Sequence, residues 1–219
     1  MAGPLGRDFF ARPTARVARD LLGCRLVVDR GTRVEVVATL VEVEAYLGLS
    51  DPASHAFRGP TPRASIMFGA AGHLYVYLSY GVHHCANLVT ETRGVAGAVL
   101  LRAASVDGGE AVVRERRAAY RPNLARTIAA HELLRGPGNL CRGLGIALGD
   151  NGLDVCSDES RVEVWEPSVR SRVAVVRGPR VGISSATERP LRFAVRGHPA
   201  VSGPKEKGRD LPGPRMPIQ

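Results

Sequence analysis

The segment Val41-Glu42-Val43-Glu44-Ala45-Tyr46 sets two carboxylates two residues apart and a phenol two residues further on. In an extended strand successive side chains point to opposite faces, so Glu42, Glu44 and Tyr46 share one face and Val41, Val43 and Ala45 the other. A carboxylate beside a phenol is a candidate general base; a half-exposed strand with its charges in water has the same pattern. Two other segments bear on the choice. His73 to Tyr80 concentrates Tyr75, Tyr77 and Tyr80, three of the chain's five tyrosines, in a sequence only 5% aromatic. Tyrosines in strands belong to core or rim, but beside a basic surface they also stack bases, at about 1–3 kcal/mol per base. Tyr80 precedes Gly81, which places it at a strand end or turn, where its side chain can project as a wedge. Ala98 to Ala104 holds a single arginine, Arg102, among apolar residues. Burying an isolated charge costs several kcal/mol, so Arg102 requires a carboxylate or bound anion, with Glu44 a candidate, unless an edge strand turns it to solvent.

Other motifs exclude chemistry. His83-His84-Cys85 points neighbouring side chains to opposite faces and has no further ligand cluster at metal spacing, so no metal is expected. No G-x-G-x-x-G or G-x-x-x-x-G-K-[ST] follows a strand, and no cofactor is expected. Gly136-Pro137-Gly138 ahead of a helix could offer N–H groups to a phosphate or serve as a plain turn. Four scattered cysteines without a C-x-x-C pair fit a reducing compartment. The 30 Lys+Arg against 21 Asp+Glu give a net charge of +9, and a pI near 10.1 points to a polyanion, although arginine-rich coding bias contributes. The only lysines are Lys205 and Lys207.

These residues need elements to hold them. Pro13 and Leu21-Leu22-Gly23 bracket a first helix. Cys24–Val28 and Val34–Tyr46, Val-rich and separated by Asp29-Arg30-Gly31, form a hairpin; His73–Tyr80, Val82–Thr90 and Ala98–Ala104 continue a mostly antiparallel meander. Helices are expected over Gly109–Tyr120, Arg126–Arg135 and from Asn139, then short strands at Val162–Trp165, Val173–Val176 and Leu191–Val195. Helices that interrupt the strands in clusters indicate an α+β fold. At 219 residues a single domain over residues 1–202 is expected. Residues 203–219, basic and with four prolines, are expected to be a disordered tail. No signal peptide or membrane span is evident, which places the chain in the cytoplasm, near the nucleoid if it binds DNA.

In order along the chain, Glu42-Val43-Glu44-Ala45-Tyr46, Ser54-His55, Thr61-Pro62-Arg63, Met67-Phe68, Tyr75-Val76-Tyr77, Tyr80-Gly81, Asn87, Leu100-Leu101-Arg102, Gly136-Pro137-Gly138-Asn139-Leu140-Cys141, Arg180-Val181-Gly182-Ile183 and Pro190-Leu191-Arg192-Phe193 resemble the alkyladenine (3-methyladenine, or methylpurine) DNA glycosylase family. The resemblance spans about residues 8 to 200. It implies a single mixed domain around a curved antiparallel sheet with flanking helices, without metal or organic cofactor. It also implies that Glu44 activates the attacking water, that Arg102 and the backbone carbonyl of Val181 help hold that water, and that Tyr46, His55 and Tyr77 wall a pocket for a flipped base. Asn87 would screen out guanine, and Tyr80 would fill the gap left in the stack. Asn139 stands where the family commonly has lysine, so one phosphate contact is missing or is supplied by Arg142. Val82-His83-His84 replaces bulkier residues after the wedge.

The expected partner is duplex DNA carrying damaged purines, bound by a monomer. A glycosylase that also nicks the backbone needs an amine for a Schiff base, and with both lysines in the tail a monofunctional enzyme that leaves an abasic site is expected. Two other classes remain open: a non-catalytic lesion-binding module, and a purine nucleosidase acting on free nucleosides.

Overall fold

The computed structural model describes residues 3–119, 128–167, 173–203 and the backbone of 209–211. A short helix, α1 (Arg7–Phe10), precedes α2 (Thr14–Asp20), which starts after Pro13 and ends before Gly23 at φ +88°. Strands β1 (Arg25–Val28) and β2 (Val36–Tyr46) form the expected hairpin. Then come β3 (Leu74–Ser79), β4 (His83–Val89) and β5 (Ala98–Gly108), the last longer than its apolar run suggests. Helices α3 (Glu110–Ala119) and α4 (Pro137–Leu144) follow, and β6 (Val162–Trp165), β7 (Val175–Gly178), β8 (Arg192–Val195) and β9 (Arg209–Leu211) complete the sheet. The order β3-β4-β5-β2-β8-β7-β9, with β1 joining β2 to β6, is antiparallel throughout. The result is a curled antiparallel sheet with helices packed on it, the α+β class expected.

Alternation along the strands assigns the two faces. Leu74 and Val76 of β3, Ala86 and Leu88 of β4, and Val99 and Leu101 of β5 enter the main core with Leu21 and Leu22 after α2 and Leu140 and Leu144 of α4. Their neighbours Tyr75, Val89 and Ala98 face the other way, into a smaller cluster with Ala56, Ala64 and Met67 of the 53–68 loops. Those loops cover the second face and wall a cavity there. Burying apolar surface at about 25 cal/mol per Å² on both faces holds this region of the sheet between two layers.

Two local expectations are corrected. The helix expected over Arg126–Arg135 falls partly outside the described residues, and its remainder forms only a 3-10 turn at Ala130–Glu132. Leu133 and Leu134 are both fully buried, and Arg135 bridges to Ala103 of β5. A chain that buries two consecutive leucines and pairs with a strand cannot continue a one-faced helix. Helix α4 starts at Pro137, not Asn139, because Gly136 at φ +95° turns the chain and proline suits the first helical position. Of the tail expected to be disordered, Arg209–Leu211 form a strand paired with β7; the two lysines lie outside the described residues. No helix among the described residues is long and apolar enough to cross a membrane.

Candidate active site

Strand β2 positions the carboxylates through a change of phase. Val36, Ala38 and Leu40 enter the main core, but beyond Val41 it is Val43 and Ala45 that do so. Register shifts lie on both sides of Glu42: Leu40 pairs with Ala104, Glu42 with Ala103, and Val43 with Leu101. Val41 is thus the extra residue of β2 and Arg102 the extra residue of β5. One inserted residue moves every later side chain to the other face. An uninterrupted alternation from Leu40 would have sent Glu42 and Glu44 into the core; the bulge brings them out, toward the cavity. It also separates Val41 from Val43 and Ala45, contrary to the simple alternation expected, and packs it with Ala103 and Ala200.

Both carboxylates are fully buried and partnered. Glu44 Oε1 accepts the Val181 N–H at 2.7 Å and lies 3.3 Å from Nη1 of Arg102, while Oε2 accepts the Tyr46 hydroxyl at 2.9 Å. Glu42 Oε1 accepts Nε of Arg102 at 3.0 Å and Nε of Arg192 at 2.7 Å, and its Oε2 accepts the Ser202 N–H at 2.6 Å. These partner sets drive the two groups apart. For Glu42, burial pushes the pKa up, but Arg102, the Ser202 hydrogen bonds and Arg192 together bring it below the usual carboxylate range. For Glu44, burial prevails over Arg102, the Val181 N–H and Tyr46, and the pKa is raised. Carboxylates with opposed shifts two residues apart are the arrangement in which one serves structure and the other can take a proton.

In front of Glu44 lies a cavity of about 580 Å³, walled by Tyr46, His55, Tyr75, Tyr77, Asn87, Arg102 and Val181 among others, with Tyr80 at its rim. Glu44 stands directly behind that wall, reached through Tyr46, Arg102 and Val181. His55 Nδ1 and the Tyr75 hydroxyl are 2.8 Å apart, and the His55 ring meets Tyr77 edge-on at 4.7 Å. Desolvation of the imidazole, with the Arg63 cation adding to it, pushes the His55 pKa down to about 4, so the ring is neutral at physiological pH. The Arg63 guanidinium lies 4.7 Å from the Tyr77 ring centroid. Asn87 is buried, and its amide donates to the Tyr75 carbonyl at 3.0 Å, which fixes its orientation in the wall. Tyr80 is 90% exposed at the tip of the β3–β4 hairpin, where Tyr80 at φ +49° and Gly81 at φ +69° form a tight left-handed turn. Left-handed backbone suits glycine and is costly for a tyrosine.

The residues that the resemblance assigns to the site lie together: Tyr46, His55, Tyr77, Tyr80, Asn87, Arg102 and Val181 on the cavity, and Glu44 behind it. Val181 meets Glu44 through its N–H. Sequence reasoning missed the counter-charges. Arg180, stacked 4.7 Å from the Tyr46 ring centroid, forms a fully buried pair with Asp51 and donates to the Ala45 carbonyl at 3.0 Å. Arg63, Arg180 and Arg192 all sit inside motifs of the resemblance, which was their one visible signal. Asn139 is spent internally, accepting from Arg117 and donating to the Arg135 carbonyl at 2.7 Å, so its amide is not offered to a phosphate. Among the described residues no group of three or more His, Cys, Asp or Glu could hold a metal ion.

The model of a protein family described as "Methylpurine-DNA glycosylase" matches residues 8–199. Three relatives each carry the name "Putative 3-methyladenine DNA glycosylase". That of Mycobacterium sp. (strain KMS) is 45% identical over 190 residues, covering 84% of this chain and 86% of its own length. That of Anaeromyxobacter dehalogenans is 48% identical over 206 residues (91% and 86%), and that of Nocardia farcinica 49% over 197 residues (87% and 85%).

Proposed function

The chain belongs to the methylpurine-DNA glycosylase family, hydrolases of N-glycosyl bonds in DNA repair, and we propose that it excises alkylated or deaminated purines from duplex DNA by base flipping, with water activated by Glu44. The observation that carries this reading is the buried Glu44, raised in pKa and tied to Arg102 and Val181 directly behind an aromatic cavity. The flipped purine stacks among Tyr46, His55 and Tyr77. A neutral His55 adds no charge against a cationic alkylpurine, and Asn87 excludes the exocyclic amine of guanine by bulk. Tyr80 enters the stack where the base has left. A damaged base costs less to extrude than a paired one, and an electron-poor ring is held well by aromatic faces.

Water seated among Glu44, Arg102 and the Val181 backbone, its carbonyl included, attacks the anomeric carbon. The bond from that carbon to the purine nitrogen breaks, its electron pair leaves with the base, and the water's proton passes to Glu44. The carboxylate also stabilises the oxocarbenium-like sugar by charge. The sequence offers no lysine before Lys205, so no side-chain amine of residues 1–204 can form a Schiff base, and the product is an intact strand with an abasic site.

The test is release of free base from duplex carrying one hypoxanthine or 3-methyladenine, followed by alkali. Strand breaks that appear only after alkali are expected; breaks without alkali would overturn the monofunctional assignment. Glu44→Gln should slow base release by about 10²–10⁴-fold, and Tyr80→Ala should weaken lesion extrusion while leaving excision from single strands nearer normal. The exposed, conformationally strained Tyr80 favours a duplex substrate over a free nucleoside, which has no stack to fill.

A further inference from the structure

We infer that Glu42, two residues ahead of Glu44 on the same face of β2, is a positioning residue for hydrolysis: it holds Arg102 by its Nε edge and keeps that guanidinium from closing on Glu44 as a two-point pair. This inference rests on the function proposed above and deepens it.

A guanidinium beside a single carboxylate settles into a bidentate fork, the strongest geometry open to it. Arg102 does otherwise. Its Nε goes to Glu42 Oε1 at 3.0 Å, its Nη2 to the Ser202 hydroxyl at 3.2 Å, and only Nη1 reaches Glu44, at 3.3 Å. Glu42 in turn takes Arg192 at 2.7 Å and the Ser202 N–H at 2.6 Å. The side chains of Glu42, Arg102 and Arg192 are 0%, 7% and 4% exposed, so solvent does not substitute for any of these contacts. A carboxylate present only to neutralise Arg102 would need neither the second arginine nor the backbone donor. The set anchors Arg102 from behind and leaves a single guanidinium nitrogen, Nη1, beside Glu44. Without Glu42, the Nε edge is free to turn onto Glu44, weaken it as a base and fill the space where water must sit.

Among the described residues, the charged and titratable groups facing Glu44 are Glu42 and Tyr46 from β2, Arg102 from β5, Arg192 opposite it in β8, and Cys85 from β4. The 180–181 segment adds Arg180, itself neutralised by Asp51, and the Val181 N–H. Of these, Glu42 alone both repels the Glu44 charge and restrains its counter-ion. The lowered pKa of the one and raised pKa of the other agree with that division.

The experiment follows the Glu44 carboxyl directly, by ¹³C NMR titration of glutamate-labelled protein with the resonance assigned through Glu44→Gln, alongside single-turnover release of 3-methyladenine from methylated duplex across pH. Glu42→Gln should lower the Glu44 midpoint by about one unit, a tenfold change in proton affinity, and cut the plateau rate about tenfold or more. Glu42→Asp, which restores the charge, should return most of the midpoint. Arg192→Gln, which leaves Arg102 as the sole arginine on Glu42, should move the midpoint upward; it decides the matter if Glu42→Gln does not fold. Midpoints unchanged in every folded variant, with rates that fall only as the folded fraction falls, would reduce Glu42 to a structural ion pair and overturn the inference. Carboxyl shifts as expected in a protein that releases no base would instead defeat the proposed function and leave the positioning role standing.

Discussion

At the scale of single residues, the burial of Glu44 makes function and stability diverge. The pKa of Glu44 in the folded chain is raised, chiefly by burial. The stabilisation it contributes is therefore complete below its unfolded pKa and is lost as pH rises through the folded one. At neutral pH the ionised side chain destabilises the fold, so Glu44→Gln should melt at the same or a higher temperature than wild type while losing activity. That margin should vanish in acid; calorimetry at pH 7 and pH 4 measures both. Tyr46→Phe keeps the ring and removes a hydrogen bond that lowers the Glu44 pKa. Its rate should fall away at a higher pH than wild type's if Glu44 acts, as proposed, as an ionised base, with lesion affinity changed little. An acid limb that stays in place would show that the hydroxyl does not touch the reactive carboxylate.

At the scale of elements, the cavity depends on segments far apart in sequence being tied to β2. The buried Asp51–Arg180 pair fastens the turn after β2 to the segment bearing Val181, and Arg180 also donates to the Ala45 carbonyl. Burial pushes the Asp51 pKa up, but Arg180 and the Leu47 and Ala53 N–H groups bring it below normal. Its stabilisation is present above the unfolded pKa and lost as pH falls through the folded one. Asp51→Asn leaves Arg180 buried without its counter-charge and should cost about 3–5 kcal/mol in denaturant unfolding, with the deficit shrinking toward acid. Elements read well from sequence where one rule decided them. The strands β1 to β5 followed from Val and Tyr runs broken by turn residues, whereas the residues that line the cavity were named as such by the resemblance and not by any local rule. Other features were hidden because they depend on partners distant in the chain. The bulges at Val41 and Arg102 appear only when β2 and β5 pair. Alternation gave Glu42 no role apart from sharing a face with Glu44, because its partners Arg192 and Ser202 come from 150 residues or more away. The helix expected over 126–135 yielded to the burial of Leu133 and Leu134, which local composition does not encode.

At the scale of the whole molecule, a net charge of +9 accompanies an aromatic cavity and the exposed ring of Tyr80. Binding to duplex should weaken steeply with salt, the logarithm of affinity falling by about 0.9 for each phosphate neutralised per tenfold rise in salt. Fluorescence anisotropy from 50 to 300 mM salt reads that slope; a flat line would mean that the charge serves solubility and not DNA. Tyr80→Ala should lower lesion affinity at every salt concentration without altering the slope, since the proposed wedge is an uncharged ring and neutralises no phosphate. The positive field also has an unusual source. Residues 1–204 contain no lysine, so every side-chain cation of the described body, histidines aside, is a guanidinium that stays charged across the physiological range. Reversible acylation, by which cells dim the charge of many DNA-bound proteins, acts on the lysine amine. Among side chains here it can reach only Lys205 and Lys207, so lysine acylation leaves the charge of every guanidinium in residues 1–204 untouched.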